Sequence, residues 1–195
     1  RPYPSSAMDE AFMTEYTPPT CFNFPRRILG WGALAVLLSL PAILKFPWTL
    51  SDFIFAGVFL GGAGLIVEII VWASSSLPYR LGGLIALLAC VGLVWVNGAV
   101  GFLGNEDNPA NLMFLGVIAI AVVGSVIVRF KAAGLSKVLF AAAAAQVLVG
   151  AIGYFAGWAS EGTAGIFEVA MGTTLFGSMW LVSGGLFRLA ADRGA

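Results

Sequence analysis

Six apolar runs dominate the chain, approximately Ile28–Leu44, Phe53–Ala73, Leu81–Leu103, Leu112–Phe130, Val138–Trp158 and Ile166–Leu189. A helix crossing a hydrocarbon core of roughly 30 Å needs about 20 mostly apolar residues, because each residue advances about 1.5 Å. All six runs meet that need, and no charged, apolar and small-residue cleavage pattern precedes the first. The expected fold is all-α, a polytopic transmembrane bundle of six helices. Composition points the same way: of 195 residues 59% are hydrophobic and 10% charged, and the mean hydropathy is +0.95. Soluble domains carry roughly a quarter charged residues, so this chain has too few to clothe a water-soluble globule.

The breaks between runs carry turn chemistry. They are Lys45-Phe46-Pro47-Trp48, Ser74-Ser75-Ser76-Leu77-Pro78, Gly104-Asn105-Glu106-Asp107-Asn108-Pro109, Lys131-Ala132-Ala133-Gly134 and Ala159-Ser160-Glu161-Gly162-Thr163. All are short, which predicts one six-helix transmembrane domain over 26–195 preceded by an irregular tail over 1–25 rich in Pro and Ser. The chain opens at Arg1 rather than Met; its first residues read as an addition ahead of a native start at Met8 or Met13.

Ten Lys+Arg offset ten Asp+Glu, so information lies in where the charges fall rather than in their sum. Six spans would place Arg26, Arg27, Arg80, Arg129, Lys131, Lys137, Arg188 and Arg193 on one side, with only Lys45 opposite. The positive-inside rule then predicts cytoplasmic N- and C-termini. The other side collects Asp52, Glu106, Asp107, Glu161 and Glu168. Trp31, Trp48, Trp72 and Trp158 fall near predicted interfaces, where amphipathic rings belong. The expected partners are the lipid bilayer and, beyond it, other membrane subunits or a second copy; nothing points to nucleic acid.

Histidine is absent. That excludes His-ligated haem, His-based zinc and His proton relays. The two cysteines, Cys21 in the tail and Cys90 mid-span, are separated by the predicted topology and cannot pair. No Ser or Cys nucleophile stands beside a base, and Lys45, Lys131 and Lys137 all lie at helix ends, so the expectation is a non-enzyme without cofactors or metal.

Polar groups inside spans are costly and therefore mark candidate sites. Glu68 lies near the cytoplasmic end of the second run, with Arg80 and Arg129 as its expected partners. It reads either as a proton or cation site or as a snorkelling carboxylate in an ion pair. Asn97 and Gln146 lie deeper; each amide can bridge helices, a bond typically worth about 0.6 kcal/mol, or touch a solute. The stretch Asn105–Asn111 is the densest polar cluster. Asn108 before Pro109 reads as an N-cap and first helical residue, while Glu106 and Asp107, with Asp52 and Glu161, could form a cation-attracting vestibule.

Two further patterns bear on architecture. Gly98-Ala99-Val100-Gly101-Phe102-Leu103 matches Gly150-Ala151-Ile152-Gly153-Tyr154-Phe155, and more loosely Pro41–Phe46. The following spans open alike at Asp52 and Asn111, and more weakly at Glu168. One reading is three copies of a helical hairpin about an axis along the membrane normal; the other is chance among Gly, Ala, Val and Phe. Small residues such as Gly57 and Gly61 recur four apart, which permits close helix approach.

The run Trp95-Val96-Asn97-Gly98-Ala99-Val100-Gly101, followed by Glu106–Phe114 and continuing over Arg129–Gln146, resembles a segment of small, uncharacterised multi-pass membrane proteins of proteobacteria. The resemblance covers about the middle half of the chain. It implies a bacterial integral membrane protein and brings with it no activity and no site residues. From the residues, the expected function is a small-solute or ion channel or transporter, with a structural or accessory subunit of a larger membrane complex as the alternative.

Overall fold

A computed structural model describes residues 24–105, 107–160 and 162–194, without the side chains at 24–26, 163 and 164. Cys21, Glu106, Glu161 and the expected tail up to residue 23 lie outside the described residues. The chain is all-helical: α1 (Phe24–Ile43), α2 (Leu50–Ala73), α3 (Leu77–Ala99), a single 3-10 turn (Pro109–Asn111), α4 (Leu112–Ile127), α5 (Ala132–Phe155) and α6 (Gly162–Asp192). No strand occurs among the described residues. Five helices, α2 to α6, are long and apolar enough to cross a membrane; the apolar part of α1, Arg27–Ile43, is shorter. Two compact units divide between Gly64 and Leu65.

The first unit holds α1 and the first part of α2. Trp31 of α1 lies against α2 at Gly64, where a Cβ would come within 3.4 Å of its ring. Asp52 sits in the first turn of α2 and turns its carboxylate back on the preceding turn. Its Oδ2 accepts from Thr49 N at 2.7 Å and from Thr49 Oγ1 at 2.8 Å, so it satisfies backbone that a helix start leaves unpaired. Trp48 and Phe53 meet edge to face with centroids 5.2 Å apart beside this cap.

In the second unit, α6 packs along both α5 and α3, and α4 packs on α5. Close approaches fix the directions. Phe187, Phe176 and Phe102 meet α3–α6 partners at Gly82, Gly92 and Gly172 respectively, so residue numbers fall on α6 as they rise along the α3 side, and the two helices are antiparallel. The α4–α5 and α5–α6 turns are short, so each of those pairs is antiparallel too. With a lighter contact between α3 and α4, the four helices form an up-and-down bundle.

The bundle is closed by aromatic groups at both ends. At one end Tyr79 stands edge-on to Phe187, centroids 4.9 Å apart, and its hydroxyl donates to Phe130 O at 2.9 Å. At the other, Phe102 from the α3–α4 loop meets Phe114 at 5.4 Å and Phe176 at 5.6 Å. Between these layers lie Ala89, Leu93, Ala142, Gln146, Trp180 and Ser183, each 0% exposed. Small residues bring the backbones together: Ser183 Oγ donates to Gly82 O at 2.6 Å, tying α6 directly to the α3 main chain. Such bonds matter more than apolar burial here, since lipid tails are as apolar as the side chains they would replace.

Candidate functional site

The polar α3–α4 loop is organised by one side chain. Asn111, nearly buried, uses its Oδ1 to accept from both Phe102 N and Leu103 N at 3.0 Å, and its Nδ2 donates to Asn105 O at 2.7 Å. Asn108 caps the 3-10 turn, accepting from Ala110 N at 3.0 Å. Gly101 turns the chain with φ +74°, and any Cβ there would collide with the Asn105 carbonyl, which is why the turn requires glycine. The effect is to lay Phe102 and Leu103 into the mouth of the bundle. Asn111 therefore serves the loop's own backbone, and Asp107 stands exposed beside it.

Charge separates along the bundle. The end closed by Tyr79, Phe130 and Phe187 carries Arg80, Arg129, Lys131, Lys137, Arg188 and Arg193, with Asp192; the opposite end carries Asp107 and Glu168 and, among the described residues of this unit, no Lys or Arg. Arg80 folds back on the end of α2, donating from Nε to Ser74 O at 2.8 Å and from Nη2 to Val71 O at 3.1 Å. A cation there meets the negative end of the α2 dipole and its unpaired carbonyls. Arg129 is exposed in the α4–α5 turn with φ 55°, and Glu68 is half-buried on α2. At the far end Ser160 Oγ donates to Gly104 O at 2.9 Å, joining the two loops beside Glu168.

The bundle interior holds an unusual polar set. Gln146 is 0% exposed, yet neither its Oε1 nor its Nε2 has a hydrogen-bond partner. The same holds for Thr173 Oγ1, Trp180 Nε1 and Asn97 Oδ1; the other end of the Asn97 amide donates to Leu93 O at 2.8 Å within its own helix. Leaving a buried polar group unpaired costs about 1–3 kcal/mol, so these atoms mark where the interior is not simply apolar filler.

Helix periodicity places them together. Thr173, Gly177, Trp180 and Gly184 recur at the spacing of one face of α6. The two ends of that row are fixed against α5, with Thr173 on Gly150 and Gly184 on Phe140. Gln146 lies one turn before Gly150 on α5, and the helices are antiparallel, so it falls level with Gly177. Gly177 is buried, yet a Cβ built on it would meet no atom within 4 Å. The backbone thus leaves open space at Gly177, level with Gln146, with Thr173 one turn to one side and Trp180 one turn to the other.

Of the residues expected from sequence, Gln146 and Asn97 belong to this interior. Asp52, Asn111, Arg80 and Arg129 belong to caps, loops and helix ends; Asp107 lies at the acidic end, Glu68 lies apart on α2, and Glu106 lies outside the described residues. Sequence reasoning did not single out Thr173 or Trp180. Their common spacing on the last run was the available signal, since Trp180 stands mid-span rather than at an interface. Comparison with protein-family models, curated proteins and solved structures finds no match to this chain.

Proposed function

We propose that this chain is a bacterial inner-membrane protein, spanning the bilayer six times with both termini in the cytoplasm, that conducts or carries a small polar solute through the α3–α6 bundle. The cytoplasmic assignment follows from the Lys and Arg residues gathered at one end. The bacterial setting follows from the resemblance of Trp95–Gly101 and Glu106–Phe114 to proteobacterial multi-pass proteins. The carrying observation is Gln146: a fully buried amide whose two ends are unpartnered, in a bundle closed by aromatic layers at either end. A solute-handling site needs such uncommitted donors and acceptors, and an aromatic closure on each side is what an occluded state requires. Without histidine and without a nucleophile–base pair, the role is non-enzymatic.

Reconstituted into liposomes, the protein is expected to raise the flux of small polar solutes, and Gln146→Leu is expected to cut that flux at least tenfold while keeping the fold. Flux equal to that of protein-free liposomes across ionic and neutral solutes overturns the transport reading. One observation favours the alternative of an accessory subunit. On α2, Cβ atoms at Gly61 and Gly62 would meet nothing within 4 Å, leaving room for a helix of another chain to approach. Native mass measurement on complexes extracted from membranes separates the two, since an accessory subunit travels with its complex.

A further inference from the structure

We propose that the space in front of Gly177 is a binding site for a small neutral molecule that both donates and accepts hydrogen bonds. The atoms around it set this chemistry. Gln146 offers a carbonyl acceptor and an amide donor, Trp180 a single N–H donor, and Thr173 a hydroxyl of either sense; all of these are unpartnered, and Gln146 and Trp180 are 0% exposed. The described side chains at these levels of α3, α5 and α6, Leu93, Ala143 and Phe176 among them, carry no formal charge. An ion here would have no counter-charge in a low-dielectric interior. A purely apolar molecule would leave the amide and indole unsatisfied.

Size follows from the same geometry. Thr173 on Gly150 and Gly184 on Phe140 bracket the site along α6, and the two aromatic layers close the bundle above and below. Gln146 and Trp180 are 0% exposed, so the space as it stands is at most water-sized, and a solute of a few heavy atoms such as urea or glycerol enters only as these side chains move aside. Water bound in this manner joins two to four polar groups at a polar, roomy site, and Gln146, Thr173 and Trp180 provide that number. Two sources share this chemistry: resident water, and a neutral solute that displaces it. Binding does not depend on translocation, but the further step, that neutral solutes are the substrate class, rests on the transport reading above.

The test uses the full chain, labelled with nitrogen-15 and held in lipid nanodiscs, and observes the Trp180 indole N–H, assigned with Trp180→Phe. A magnetisation-transfer cross-peak from long-lived water to that N–H is the expected result, weakened in Gln146→Leu and in Thr173→Val. Gly177→Ala is the variant chosen to keep the fold, because its Cβ meets no neighbour, and it is expected to weaken the same cross-peak by intruding on the site. Urea and glycerol are then added. Loss of the water cross-peak with a saturable indole shift identifies a solute site, and a persistent cross-peak without a shift identifies a resident-water site; either supports binding. An indole that shows neither water transfer nor a solute-dependent shift, or a cross-peak unchanged in Gly177→Ala, overturns the proposal. Liposome flux with a dry site removes this inference alone, and a filled site without flux removes only the transport reading.

Discussion

Asn111 and Ser183 do at single positions what a lipid-embedded fold demands, which is to give main-chain groups a partner where water is scarce. Asn111 satisfies two backbone N–H groups and one carbonyl of the α3–α4 loop. Asn111→Ala strands the two N–H groups among Phe102, Leu103 and their neighbours, and about 3 kcal/mol of stability should be lost, at about 1–3 kcal/mol per stranded group. Equilibrium unfolding in mixed micelles measures it, and a loss below about 1 kcal/mol would show that the loop does not depend on this side chain. Ser183→Ala removes one bond to the Gly82 carbonyl, and a loss of about 0.6 kcal/mol, up to about 1.7, is expected by the same measurement. These residues were unequally legible. The Asn108–Pro109 start could be read directly, because a cap is a relation between adjacent residues. Asn111, three residues on, was visible only as a polar candidate, because its partners lie six, eight and nine residues back across a turn.

Helices α5 and α6 form the most intimate pair, and small side chains set their spacing. A methyl group added at Gly150 would run into the Thr173 side chain. Gly150→Ala is expected to cost about 1–3 kcal/mol through overpacking. Thr173→Ala in the same chain should recover most of that loss, so that the two changes together cost less than the sum of each alone. Strict additivity in a double-mutant cycle would place the two residues out of contact. At this scale the sequence was informative about existence and imprecise about edges: α3 runs Leu77–Ala99 where the apolar run suggested Leu81–Leu103, and α6 extends to Asp192. The matched stretches 98–103 and 150–155 also differ in structure. The first leaves its helix at Ala99 and turns at Gly101, whereas the second is helical through Phe155 and its turn glycine, φ +70°, is Gly157. Sequence similarity alone could not reveal that four-residue offset. Nor could it say which helices touch, because spans that are apolar all round show no polar face to mark the side turned to protein.

The charges of the second unit are sorted by end, with six Lys and Arg around Tyr79 and Phe130 and only acids near Gly104 and Ser160. On a background without the native cysteines, Lys131→Cys should react with an impermeant maleimide only in inverted vesicles, and Asp107→Cys only from outside intact cells. The reverse pattern would invert the proposed orientation, and labelling of both from one side would break the up-and-down topology. This polarity was the most legible global property, since it needs only the order of charges and the count of spans. The polar interior was the least legible, since Thr173, Trp180 and Gln146 become neighbours only through packing. That packing also bears on how the molecule is made. α3 and α5 both lean on α6, and α6 leaves the ribosome after them. While it is still being synthesised, the Gln146 amide and the Gly82 carbonyl lack the helix that covers them. The earlier helices should therefore linger beside the translocon or under the guard of an insertion chaperone, and a polypeptide stalled before Gly162 should be a preferred target of membrane proteolysis.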